Sequence, residues 1–252
     1  MDNPQRFTGT AAVYAKARPG YAPELIERLA AWAELSPASV VADIGAGTGI
    51  FSAQMAETGA RIIAVEPNEE MRAEAEKRFA DNPSISVMAG TAEHTGVEAA
   101  SIDLVTAAQA FHWFDTEAFR SECLHILRRD ARVALVWNNR VADAPVNQAC
   151  EQAFRELCPR FKGFSGGVRM DDPSIGEFFC GRYGAWRFDN DLAYDRDSFI
   201  ARCLSGSYAP KEGEDSYSAF ISAVEGIFDR YQQDGILTVP NETYAYVGSL
   251  RD

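Results

Sequence analysis

Short, wholly apolar runs alternate with helix patterns through the first 140 residues, and this alternation narrows the possible folds more than any other feature of the chain. Residues 39–44 (SVVADI), 61–66 (RIIAVE), 85–90 (ISVMAG), 102–109 (IDLVTAAQ) and 131–138 (ARVALVWN) read as five buried strands. Strands apolar on both faces belong to a parallel sheet that helices cover on each side. The intervening segments supply those helices. Residues 49–57 place Phe51, Met55 and Ala56 on one face, and 67–82 are rich in Glu, Ala, Arg and Lys. Asp115-Thr116 can cap a helix reaching about residue 127. Right-handed crossovers should join the strands.

Beyond Asn138 the rhythm breaks. The sequence predicts one helix within 141–158, a loop with three glycines, a short helix over 175–182 and a strand over 184–194. Helices near 197–205 and 214–233 follow, then a last strand over 243–250. The expected fold is an α/β, Rossmann-like open sheet of about seven strands, mostly parallel with a last antiparallel strand, helices on both faces and a small insertion after strand five. We read 1–252 as a single domain: a core of about 35–140 plus C-terminal strands in 184–250, an insertion or lid at about 141–182, and an N-terminal cap at about 1–20.

Chemistry enters at Asp43-Ile44-Gly45-Ala46-Gly47-Thr48-Gly49, between the first strand and the first crossover helix. Glycines there let the chain turn tightly and let a ligand approach the backbone without meeting a Cβ. By itself such a turn is also compatible with a ligand-free connection. The next strand adds weight, because it ends in Glu66, 23 positions after Asp43, where a carboxylate can accept hydrogen bonds from both hydroxyls of a ribose. The dinucleotide fingerprint Gly-x-Gly-x-x-Gly is not met, since its sixth position is Ile50. A ligand with an adenosine ribose but no pyrophosphate fits better.

Charge and cysteines exclude several classes. The chain holds 24 Lys and Arg against 37 Asp and Glu, a net charge of −13, with no long basic run. That field repels phosphate, so nucleic acid is not the expected substrate. No stretch approaches eighteen consecutive apolar residues and the segment MDNPQRF has no apolar signal core, so neither a membrane span nor a secretion signal is expected, and the expected location is cytoplasmic. Cys123, Cys150, Cys158, Cys180 and Cys203 are odd in number and lack both a Cys-x-x-Cys pair and a histidine at ligand spacing. They read as free thiols, with no metal site.

DIGAGTG (43–49), VEPNEEM (65–71), MAGTAE (88–93) and TAAQAFHWFD (106–115) together resemble the ordered motifs of class I S-adenosylmethionine (SAM)-dependent methyltransferases. FTGTAAVYAKARPGYAPELI (7–26), LVWNNR (135–140) and the tail SGSYAPKEG…YQQDG…YAYVGSL are similar to the methyltransferase type 11 or trans-aconitate methyltransferase-like subgroup. The resemblance covers most of the chain and is thinnest over 141–196. It implies SAM as cofactor. Gly45 and Gly47, with Asp43 and Ala46 in the same loop, would line the methionine portion, and Glu66 would take the ribose hydroxyls. Pro67 and Met71 would pack near the adenine, Ala92 would offer it a backbone N–H, and Thr91 and Glu93 would lie beside it. Ala108 and Gln109 would reach the methionine end from the far side of the switch point. Tyr14 and Arg18 belong to a segment that folds over the cofactor in the resembling proteins. Two departures stand out: Arg128-Arg129-Asp130-Ala131 replaces a Pro-Gly-Gly type turn, and His94-Thr95-Gly96-Val97 replaces Leu-Pro-Phe.

A sulfonium methyl is already a strong electrophile, so an acceptor needs a general base only if it must lose a proton. His112 is the candidate base, and Trp113, Arg140, Arg169 and Tyr208 are the candidate acceptor-binding residues. The expected partner is a small-molecule acceptor, acidic, with neither nucleic acid nor membrane. Binding motifs alone leave open a non-catalytic SAM- or nucleoside-binding protein. An NAD(P) oxidoreductase is disfavoured by Ile50.

Overall fold

The computed structural model describes residues 19–164, 172–206 and 208–251. Its centre is a seven-stranded sheet. In chain order the strands and helices are α1 (Pro23–Trp32), β1 (Val40–Ile44), α2 (Ile50–Ala56), β2 (Arg61–Val65), α3 (Glu69–Phe79), β3 (Ile85–Met88), β4 (Ile102–Ala108), α4 (Thr116–Ile126) and β5 (Leu127–Arg140). Then come α5 (Pro145–Leu157), α6 (Pro173–Phe178), β6 (Gly184–Asp189), β7 (Leu192–Tyr194), α7 (Arg196–Leu204), α8 (Tyr217–Tyr231), β8 (Leu237–Val239) and β9 (Asn241–Gly248). The sheet order is β3-β2-β1-β4-β5-β9-β6. β1 pairs in parallel with β2 and β4, and β9 runs antiparallel to both β5 and β6.

Every residue of β1 is buried. Val40, Ala42 and Ile44 face one layer, where Phe119, Cys123 and Ile126 of α4 and Phe178 of α6 cover them. Val41 faces the other, under Leu25 and Leu29 of α1, Phe51 and Met55 of α2, and Phe79 of α3. This two-sided burial is what the all-apolar runs require. Because the chain winds from β1 to β3 on one side and returns to place β4 on the other, a switch point opens at the carboxyl ends of β1 and β4.

Local signals act as read. Asn68 caps α3 by accepting from Met71 N–H (2.9 Å), and Asp115 caps α4 by accepting from Ala118 N–H (3.0 Å). Three expectations need correction. Arg128–Ala131 form no turn: β5 starts at Leu127, and the five steps to Arg132 face only two on β4, from Ile102 to Leu104, as a bulge. Arg128 is held there by Asp103 (2.5 Å). The single strand over 184–194 is two strands in different sheets, broken where Asn190 turns its side chain to Gly20 O (3.1 Å) and Asn138 Oδ1 (3.1 Å). The insertion is also drawn differently. A third apolar cluster joins Phe154 of α5 to Phe199 of α7, Phe220 and Val224 of α8, and Leu237 of β8, whereas α6 packs on the sheet. Among the described residues no helix is long and apolar enough to cross a membrane.

Candidate active site

The carboxyl ends of β1 to β4 converge on one cleft of about 360 Å³. Its floor is the glycine turn. Gly45 N–H and Ala46 N–H both donate to Val65 O (2.9 and 3.1 Å), tying the turn to β2. Gly45 has φ +69°, and a Cβ there would lie 2.7 Å from the Ala110 Cβ. Gly49, at φ +79°, would drive a Cβ into the Phe79 ring. Both positions demand glycine.

Two acids support this turn in different ways. Asp43 is fully buried and accepts from Ser52 Oγ (2.6 Å) and Thr106 Oγ1 (3.0 Å), locking β1 to α2 and β4 beneath the loop. Burial pushes its carboxyl up to about 6, against the opposing pull of those two hydroxyls. Glu66 accepts Gly47 N–H on Oε2 (2.8 Å) and Asn68 N–H on Oε1 (2.8 Å). Burial raises its pKa as well, opposed by the two backbone donors and by Arg72. Each Glu66 oxygen retains a second acceptor lone pair.

The remaining walls come from three short segments. Thr91 and His94 bond each other's backbones (3.1 and 3.3 Å), which presents Ala92 and Glu93 at the tip of a turn. Glu93 accepts from Asp115 N–H (3.0 Å), and Thr91 Oγ1 accepts from His94 N–H (3.2 Å). Gln109 follows β4 at φ +56°, and its Nε2 donates to Asn138 O (2.8 Å). Residues 111–113 form a single 3₁₀ turn. At about 120° per residue, such a turn sends successive side chains in different directions. Phe111 enters the core and Trp113 faces the cleft.

Of the residues singled out in the sequence, Asp43, Gly45, Ala46, Gly47, Glu66, Pro67, Met71, Thr91, Ala92, Glu93, Ala108, Gln109 and Trp113 line this cleft. His112, the candidate base, does not: the 3₁₀ turn carries it off the wall, its ring 4.7 Å from that of Trp113. Arg140 and Tyr208 are not on the wall either. Arg140 lies over the Phe164 ring (4.3 Å), and Tyr208 packs on Phe154 and Phe161 in the helical lobe. Tyr14, Arg18 and Arg169 lie outside the described residues, as does most of the expected 1–20 cap.

The cleft also holds residues that the sequence reading passed over, namely Tyr21, Thr48, Ile50, Phe51, Asn68, Ala110 and Phe114. Thr48 sits inside the glycine turn and could have been read from it. Tyr21 carries no periodic signal. Its backbone N–H and carbonyl both bond the Gln54 side chain (2.8 and 2.9 Å), and its ring meets Phe51 edge-on (4.9 Å).

The cleft passes two tests for an adenosyl ligand. Among the described residues a Cβ on Gly47 would meet nothing within 4 Å, so the turn is open to the cleft. Thr48 Oγ1 is buried beside it without a hydrogen-bond partner among the described residues, a position a ligand's polar atom would complete.

Residues 42–135 match the family model of a methyltransferase domain. The chain is 36% identical over 134 residues to an uncharacterised methyltransferase of Mycobacterium tuberculosis, a match spanning 53% of this chain and 52% of that protein. It therefore spans about half the length of that relative. A 26% identity over 245 residues, 95% of this chain and 93% of the other, relates it to an uncharacterised methyltransferase-like protein of Schizosaccharomyces pombe. Among solved structures it superposes with a TM-score of 0.68 on an Anaeromyxobacter dehalogenans chain assigned by inference as a type II methyltransferase. That pair is 22% identical and covers 93% of this chain and 98% of the other, a likeness of fold.

Proposed function

We infer that this chain, whose residues 42–135 match the methyltransferase-domain model, is a class I SAM-dependent methyltransferase that transfers a methyl group to a small, acidic, soluble acceptor. The observation that carries the reading is the joint geometry of Glu66 and the glycine turn. One carboxylate fixes the turn through Gly47 and still has lone pairs facing the cleft for a ribose diol.

The bound donor supplies an electrophilic methyl on a positively charged sulfur. The protein's tasks are alignment and exclusion of water. Gly45, Ala46 and Gly47 seat the methionine portion, and Thr48 Oγ1 gains its missing partner there. Pro67, Met71 and Ala92 form the apolar wall beside the adenine, with Thr91 and Glu93 at its rim. Ala108 and Gln109 close the methionine end. Trp113 and Phe114 present aromatic surface suited to a sulfonium through ring quadrupole attraction. Among the described residues no histidine lines the cleft, and an acceptor that arrives ionised needs no base.

The acidity of the acceptor rests on the resemblance to trans-aconitate methyltransferase-like motifs, while the −13 charge disfavours a polyanion such as nucleic acid. Thermal shift with SAM, S-adenosylhomocysteine and NAD tests the donor, since a true ligand stabilises the native state by mass action. Methyl transfer onto a panel of small carboxylic acids tests the acceptor. Stabilisation by NAD alone would sink the first part. Turnover on tRNA or protein, with none on small acids, would sink the second.

A further inference from the structure

Arg140 is the last residue of β5, at the same edge of the sheet as the cleft. The chain contains 37 acidic residues, yet no carboxylate pairs with this guanidinium among the described residues. Its neighbours are of another kind. Nη1 donates to Asn147 Oδ1 (3.2 Å), one face covers the Phe164 ring (4.3 Å), and the Cys150 thiol lies within hydrogen-bond reach. Cys203 and Tyr208 stand close enough to act on its charge. Arg202 acts on the same two thiols, so a second positive charge stands close by. Burial raises the Cys150 thiol and pushes Cys203 up to about 12, which leaves both neutral at physiological pH and unable to serve as counter-ions. A guanidinium removed from water ordinarily finds a carboxylate or phosphate, because it offers five donors in a planar fork. Here that fork is largely unspent.

We propose that Arg140 anchors a carboxylate of the methyl acceptor in the helical lobe, and that a second group of the same acceptor takes the methyl. This rests on the methyltransferase reading of the adjoining cleft. The position suits it: Asn138, two residues earlier, accepts the Gln109 amide from the cleft wall, and Arg140 lies roughly 7 Å further along the strand. A carboxylate in a bidentate pair with arginine has its lone pairs committed and its charge neutralised, so it is a poor nucleophile. Anchor and nucleophile are therefore different atoms. The acceptor class is a compact acid with at least two functional groups, such as a dicarboxylate, spanning lobe and cleft.

The test is calorimetry on the whole chain saturated with S-adenosylhomocysteine, titrated with acetate, malonate, succinate and citrate. At least one polyacid should bind the wild-type protein. Arg140→Lys, which keeps the charge and loses the fork, should weaken it by about tenfold, and Arg140→Met should abolish it. S-Adenosylhomocysteine affinity should stay within about twofold in both variants, a control that separates this site from the cleft. Acetate, which offers only the anchoring group, should not be methylated. Equal polyacid binding in Arg140→Met would overturn the proposal, as would the absence of polyacid binding to a wild-type protein that binds S-adenosylhomocysteine. Acetate turned over as well as succinate would also overturn it. Should Arg140→Met fail to fold, by near-ultraviolet circular dichroism, the lysine variant decides alone. Failure of S-adenosylhomocysteine itself to bind strikes the methyltransferase reading instead, and polyacid binding to the unliganded chain through Arg140 would still uphold the anchor.

Discussion

Each oxygen of Glu66 holds one backbone N–H, so its removal does two things at once. On the proposed reading the ribose loses its acceptors, and Gly47 and Asn68 lose the carboxylate that fixes the cleft floor. Glu66→Ala should weaken S-adenosylhomocysteine binding by about tenfold or more, as expected for losing charge-assisted hydrogen bonds. Glu66→Gln should be nearly as damaging, because an amide nitrogen turned toward either N–H sets donor against donor. Calorimetry that finds unchanged affinity in both variants removes Glu66 from the site. Asp43 makes a separate contribution through pH. Its folded pKa, about 6, lies above the ordinary 3.8, so the buried form prefers its proton. The stability it contributes is present below about pH 4 and lost as pH rises through 6, a change on the order of 3 kcal/mol. Glu66, also raised by burial, adds in the same direction. Asp43→Asn keeps the oxygen that Ser52 or Thr106 needs while removing the titration. Its urea midpoints between pH 4 and 7 should fall less steeply than those of the wild type. Parallel curves would mean that Asp43 is ionised throughout.

Among the elements, the loop residues of the cleft show what a sequence reveals and what it conceals. Gly45, Gly47 and Glu66 were legible because residue type and spacing mark them, a glycine turn after one buried strand and an acid ending the next, although the contacts that join them span 19 positions or more. The Arg128–Ala131 bulge was not, since it depends on pairing with Ile102 and Leu104 some 25 positions away. The strand break at 190 was hidden for the same reason: Asn190 serves Gly20 and Asn138, which only the folded sheet brings near. The helical lobe likewise joins α5 to α7 and α8 across long sequence separations, and amphipathic patterns name a buried face without naming its partner. Tyr21 is the clearest case within the site. Gln54 on α2 grips both of its backbone groups, while Gly20 O and Ala22 N–H are tied to Asn138, Asn190 and Thr243. This clamp holds the segment before α1 against the cleft. Gln54→Leu keeps the side-chain volume and deletes both bonds. Amide exchange at Tyr21 should accelerate, and S-adenosylhomocysteine affinity should fall severalfold, with global stability reduced by about 1–3 kcal/mol. Protection at Tyr21 equal to that of the wild type would show that the clamp does not need Gln54.

For the whole molecule, the net charge of −13 and the proposed acidic acceptor pull in opposite directions, and their conflict has a measurable sign. At long range the protein repels an anion, which slows encounter; at short range a guanidinium such as that of Arg140 attracts it. Salt separates the two, because screening acts over a Debye length of about 10 Å at 0.1 M and reaches an exposed surface field far more effectively than a contact inside the lobe. Raising ionic strength from about 10 to 150 mM should therefore relieve the repulsion while leaving most of the local attraction intact. For a dicarboxylate acceptor, kcat/KM should rise severalfold over that range, through the association step, with kcat nearly constant. This distinguishes the present arrangement from a cleft whose field draws its substrate in, for which kcat/KM falls as salt is added. Stopped-time assays across the salt series, with sodium chloride checked against a second salt to exclude specific anion competition at Arg140, would measure the slope. A fall in kcat/KM with salt for the dianion would mean that basic residues around the entrance outweigh the acidic surface.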